Sequence, residues 1–183
     1  MSLSVKEQDV LSSLNKPATA CFTGYRVQKL PWRNNESDKR CIEMKRVLRA
    51  EIIKAVERGY KTFLCGMALG FDIICAETVI SLKQEYNDIK LIAAIPCRDQ
   101  DRLWSENSRT RYRGLLEQAD GIRCKFETYT YAECMRERNK YMVDNSSLLI
   151  ALYSGLPGGT KFTVDYARKS GSEILIIDPE KFI

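Results

Sequence analysis

The chain has no histidine among its 183 residues. That absence removes Ser-His-Asp and Cys-His nucleophile arrangements and any histidine-ligated zinc site. Catalysis, if it occurs, must rest on carboxylates, cysteine, lysine, arginine or tyrosine. Long apolar runs are missing too. Stretches such as Leu91-Ile-Ala-Ala-Ile95 fall far short of the roughly 20 residues that cross a bilayer. The N-terminus, Met1-Ser-Leu-Ser-Val-Lys-Glu-Gln-Asp9, lacks a basic-then-apolar signal pattern. The expectation is a cytoplasmic protein with no membrane partner.

Paired thiol motifs are also lacking. Cysteines stand at 21, 41, 65, 75, 97, 124 and 134, an odd number with no CxxC spacing. They read as small buried hydrophobes in a reducing compartment. Cys97, just after a strand, is the one candidate for a reactive thiol. No metal site is expected. Strong charge of either sign is absent. A net charge of +5 tolerates a nucleotide or nucleic-acid ligand without demanding one.

What is present is an alternation of short apolar runs and helical patterns. Hydrophobic residues make up 44% of the chain and charged residues 29%, enough for one sizeable core. Strands are predicted at 18–22, 62–65, 89–95, 122–126, 148–153 and 173–177. Helices are predicted over 38–58, closed by Gly59, over 71–85, over 101–118, over 131–143, and after Pro157. Apolar residues at Cys41, Met44, Leu48, Ile52 and Ala55 give the first helix its inward face. The pattern implies an α/β fold with a single Rossmann-like, doubly wound, mainly parallel sheet and helices on both faces. Residues 1–16 read as an N-terminal arm and 17–183 as the domain.

Ligands in such sheets collect beyond the carboxyl ends of the strands, so the junctions after the strands carry the functional reading. Thr23-Gly24-Tyr25-Arg26 follows the first strand, with a turn glycine and an arginine able to pair with phosphate or carboxylate. Gly66-Met-Ala-Leu-Gly70-Phe-Asp72 follows the second. Its loop-to-helix geometry suits an anion, whereas Asp72 suits a ribose hydroxyl or the helix dipole. Arg138-Asn139 lies where the inward stripe Tyr131, Cys134 or Met135, 138, Met142 places an arginine. Its stem either packs with the head in water, or pairs with Glu77 or Asp72, or serves a ligand. Finally, Pro157-Gly-Gly-Thr160 opens a helix expected to bury Phe162, Thr163, Tyr166 and Ala167. Thr160 as a plain N-cap would account for the turn, but not for two consecutive glycines before it.

Together these junctions resemble the YpsA-like branch of the SLOG superfamily, which also includes DprA proteins and LOG phosphoribohydrolases. The motifs are Thr23-Gly24-Tyr25-Arg26, Gly66-x-x-x-Gly70-x-Asp72 with Ala76-Glu77, Arg138-Asn139, and Gly159-Thr160-x-x-Thr163. The resemblance implies a Rossmann-like domain over about residues 18–178. It also implies one ligand site formed by Thr23, Gly24, Arg26, Gly66, Gly70, Asp72, Arg138, Asn139, Gly158, Gly159, Thr160 and Thr163. Its members are regarded as binders of nucleotides or nucleotide-derived ligands, many of them sensors. A small-molecule nucleotide or nucleoside phosphate is therefore the expected ligand, and self-association or a protein partner is compatible with the family.

Two alternatives stay open. LOG enzymes carry PGGxGTxxE; here Lys161-Phe162 replaces the second Gly-Thr, and Asp165 stands where the glutamate would be. A phosphoribohydrolase would have to use Asp165 or Glu77. A DprA-like binder of single-stranded nucleic acid would draw on five arginines at 98, 102, 109, 111 and 113, with Trp104 and Tyr112 as stacking platforms.

Overall fold

The computed structural model describes residues 14–128 and 133–182. Most of the proposed N-terminal arm, and the predicted helix start at Tyr131, lie outside the described residues. Six strands form one parallel sheet: β1 (Thr19–Gly24), β2 (Thr62–Cys65), β3 (Lys90–Cys97), β4 (Gly121–Phe126), β5 (Leu148–Leu152) and β6 (Glu173–Ile177). Their spatial order is β4-β3-β2-β1-β5-β6. The chain therefore steps outward from β1 to β4, returns to the other side of β1, and steps outward again. Strand order reverses between β1 and β5. The α/β doubly wound class expected from the alternating pattern is the one observed.

Among the described residues five α-helices cover the sheet: α1 (Lys39–Glu57), α2 (Phe71–Leu82), α3 (Glu106–Gln118), α4 (Glu133–Asp144) and α5 (Gly159–Lys169). Strand residues alternate between two apolar layers, as the period of two requires. Ala20, Phe22, Phe63, Cys65, Leu91, Ala93, Leu148 and Ile150 join α1, α2 and α3 on one face. Cys21, Leu64, Ile92, Ala94, Leu149 and Ala151 join α4 and α5 on the other.

Local chemistry sets the helix ends. Asp38 caps α1 by accepting from Arg40 N–H at 2.9 Å. At the far end, Gly59 adopts φ +98° while the Gly59 and Tyr60 N–H groups bond back to Val56 and Ala55 carbonyls. This is the Schellman closure that a glycine at that position permits. Gly59 thus ends α1 where expected.

Several boundaries differ from the sequence reading: α2 ends at Leu82 rather than 85, β1 runs to Gly24 rather than 22, and two more changes lie beyond β3. The predicted helix over 101–118 begins only at Glu106, capped by Ser105 Oγ accepting from Ser108 N–H at 3.4 Å. Residues 98–104 instead form a turn-rich loop beyond β3. That strand runs through Pro96 to Cys97, because Cys97 still pairs with Phe126 of β4. In α5 the buried residues are Thr163, Val164 and Ala167. Phe162 and Tyr166 are only half-buried and stack on each other at 6.2 Å. Among the described residues no helix is long and apolar enough to cross a membrane.

Candidate functional site

The reversal between β1 and β5 opens a crevice at the carboxyl ends of those strands, where doubly wound sheets bind ligands. A cleft of about 230 Å³ occupies it, lined among others by Thr23, Gly24, Arg26, Lys29, Asp72, Arg138, Asn139, Gly159 and Thr160. Four sequence-distant segments, after β1, after β2 at the start of α2, within α4 and after β5, meet there.

Two tethers hold the crevice together. Tyr25 is buried, and its hydroxyl oxygen accepts from the N–H groups of Ser154 at 2.9 Å and Leu156 at 3.1 Å. This pins the loop after β5 to the loop after β1. Thr160 Oγ1 donates to the Gly24 carbonyl at 2.9 Å. Thr160 is therefore not the N-cap of α5. Gly158 holds that position, at φ +134° and with no side-chain cap. The first N–H groups of an α-helix have no intrahelical partner, so α5 begins at the cleft with donors available. Lys29 Nζ donates to the Pro157 carbonyl beside this turn.

The glycines of the motifs divide by what stands where a Cβ would go. At Gly24 it would meet the Phe71 ring at 2.3 Å; at Gly66, Arg138 Nη1 at 2.0 Å; at Gly70, the Tyr25 carbonyl oxygen at 2.6 Å. All three make room for the protein itself. Gly70 also adopts φ +106°. At Gly159 a Cβ would meet nothing within 4 Å. Of these four, only Gly159 has free space beside it.

Arg138 and Asp72 form the buried polar centre. They are 6% and 7% exposed. The guanidinium donates to the Gly66 carbonyl, to the Ala94 carbonyl at 3.3 Å, and through Nε to Asn139 Oδ1 at 2.8 Å. Asp72 lies in the first turn of α2 and accepts from Ala68 N–H at 3.2 Å. Burial raises the Asp72 carboxyl above its ordinary value, and Arg138, the Ala68 N–H and Arg26 offset this only in part. Burial likewise lowers Arg138, against the pull of Asp72. Of the alternatives for Arg138, neither ion pair forms: the buried guanidinium bonds the Gly66 and Ala94 carbonyls and Asn139, Asp72 acts on it through its nearby charge alone, and Glu77 is engaged by Arg111.

The remaining candidates fall outside the cleft. Thr163 is fully buried and donates back to the Gly159 carbonyl at 3.0 Å. Asp165 pairs with Lys161 and Arg168 along α5. Glu77 pairs with Arg111, which also holds Glu36. Each arginine of the 98–113 segment is matched to a carboxylate: Arg98 to Glu127, Arg102 to Asp99, Arg109 to Glu106, Arg111 as stated, and Arg113 to Asp101. Cys97 is fully buried, and its thiol is pushed up to about 12, chiefly by burial. That is opposite to the depressed pKa a nucleophilic thiol needs, so the suggestion of reactivity there is withdrawn. Among the described residues no cluster of three acidic, cysteine or histidine ligands could hold a metal ion.

The YpsA model, described as the YspA SLOG family, matches residues 20–181. The chain belongs to this family. UPF0398 proteins of Bacillus cereus and Bacillus thuringiensis are each 31% identical over 152 residues, covering 81% of this chain and 82% of theirs. The family fold is also seen in solved structures. DNA processing protein A from Helicobacter pylori, in a structure concerned with its single-stranded DNA binding mode, matches with TM-score 0.61 at 19% identity over 89% of this chain. DprA from Streptococcus pneumoniae matches with TM-score 0.59 at 15% identity over the same share. This chain spans 66% and 50% of those two chains. At such identities the likeness concerns the fold.

The sequence reading missed the tethering role of Tyr25 and the presence of Lys29 at the cleft. Tyr25 stood inside a quoted motif, but its partners lie about 130 residues away. No local pattern signals them.

Proposed function

We propose that this SLOG-family chain binds a nucleotide or nucleoside phosphate, with the phosphate at the start of α5. The observation that carries this reading is an uncapped helix start, Gly158-Gly159, at the switch-point cleft, with Arg26 and Lys29 beside it. Unpaired N–H groups and the positive end of the helix dipole favour an anion there. Arg138 adds positive charge from below, although its hydrogen bonds go to carbonyls and Asn139. Asn139 orients the guanidinium, and Thr23 shapes the wall. Asp165 and Glu77 are neutralised by basic partners away from the cleft, which favours holding a ligand over cleaving one.

Gly159→Asp tests this cleanly. An added side chain meets no neighbour within 4 Å, and an aspartate in a first helical turn suits the dipole. Thermal unfolding should therefore be unchanged, while titration with nucleoside monophosphates should show at least a tenfold loss of affinity, about 1.4 kcal/mol. Unchanged affinity sinks the phosphate assignment.

The likeness to DprA structures keeps a second reading, in which the phosphate belongs to single-stranded nucleic acid. The pairing of all five arginines in the 98–113 segment counts against a broad basic track there. Affinity for an oligonucleotide that falls steeply with salt would favour this reading over a mononucleotide.

A further inference from the structure

A second cleft of about 500 Å³ lies between the loop after β1 and the loop after β3. It shares Arg26, Gln28, Ala68 and Met135 with the cleft at α5, so the two form one continuous groove. Its size suits a nucleoside. The polar groups lining it are unusual. Gln100 is 8% exposed, and its Nε2 donates to the Met67 carbonyl at 2.7 Å. That bond fixes the amide's orientation, leaving Oε1 without any partner and shielded from solvent. Asp99 Oδ1, on the neighbouring residue of the same lining, is also buried and unpartnered. A buried polar atom without a partner is costly, and such atoms call for an explanation. Both orphans are acceptors. Trp104 completes the lining, its ring set edge-on against Tyr112 at 5.1 Å.

Resting on the phosphate assignment above, we propose that this second cleft is the base subsite of the same ligand, a nucleotide whose base carries an exocyclic amino group. The amino group donates to Gln100 Oε1, which a shift of the side chains covering it opens to the cleft, while the ring lies against Trp104. Replacing the amino group by a carbonyl, as in hypoxanthine for adenine or uracil for cytosine, sets oxygen against oxygen. A site built around a hydrogen-bond partner discriminates strongly against an analogue that cannot supply it.

Calorimetric titration of the full chain with AMP, IMP, CMP, UMP and ribose 5-phosphate tests the proposal. AMP and CMP should bind at least tenfold more tightly than IMP and UMP. In Gln100→Leu that preference should collapse to near unity. Because Gln100 is buried, its variant could misfold; Trp104→Ala provides an independent check. It should weaken AMP at least tenfold and leave ribose 5-phosphate unchanged. Equal affinities within each matched pair, or loss of ribose 5-phosphate binding together with AMP in Trp104→Ala, overturn the base subsite. They leave the phosphate cradle standing provided Gly159→Asp still abolishes binding. An amino preference that survives in Gln100→Leu overturns the role given to that residue. No binding by any of the five ligands overturns both readings.

Discussion

Replacing Arg138 by methionine should be among the most damaging single changes in the fold. The guanidinium is 6% exposed and supplies donors to the Gly66 and Ala94 carbonyls as well as positive charge to Asp72. Arg138 faces Asp72 without a direct ion pair, so the roughly 3–5 kcal/mol for removing one member of a buried charge pair sets an upper range. Asp72 keeps its bond from the Ala68 N–H and can take up a proton, so about 3 kcal/mol is expected here, at the low end of that range. That is a large share of the roughly 5–15 kcal/mol that stabilises a domain. Urea unfolding should show the midpoint falling with little change in slope. Adding Asp72→Asn to Arg138→Met should restore part of the loss, with a coupling of about 1–3 kcal/mol.

The pH dependence gives a stricter check. The native Asp72 carboxyl is raised above its ordinary 3.8, and loss of Arg138 raises it further. As pH falls, the native state then binds this proton before the unfolded chain does. The stability lost to the ionised form is therefore regained between the native pKa and about 4, and is lost again as pH rises through that window. The deficit of Arg138→Met relative to wild type should shrink from pH 7 towards pH 4. A deficit below about 1 kcal/mol, far under that range, or one constant across that window, would refute the electrostatic coupling of Arg138 to Asp72.

Two further perturbations separate the scaffold from the site. Tyr25→Phe leaves the Ser154 and Leu156 N–H groups without their acceptor; stability should fall by about 1–2 kcal/mol, with faster amide exchange at those two residues, and unchanged exchange would contradict the tether. Gly70→Ala must place a Cβ 2.6 Å from a backbone oxygen at φ +106°, so a loss of about 3 kcal/mol or more is expected from strain and collision together. Gly159→Ala, with open space and an ordinary φ, is its control and should melt no lower than wild type. A similar loss in both variants would refute the division of the glycines.

Alternating strands and helices were legible in the sequence because each signal is local. Short apolar runs such as Leu148–Leu152 and the face Cys41, Met44, Leu48, Ile52 can be read within a dozen residues. Even the missed start of α3 had a local mark, Ser105 followed by an acidic residue, overlooked because Leu103 and Trp104 extended the apolar pattern backwards. What stayed illegible was partnership across distance. The neighbour of β1 is β5 as well as β2, and nothing near Thr19–Gly24 says so. The arginine-rich segment could be read as a run but not its distant partners: Arg111 is held by Glu36 and Glu77 from other parts of the chain. Glycine is the sharpest case. Its missing side chain marks a close approach but not what approaches, and here Phe71, Arg138 and the backbone at Tyr25 fill three of the places a ligand was expected to take. Of these positions the helix start at Gly159 alone keeps open space beside it, and there the first backbone donors of α5 are still unmatched.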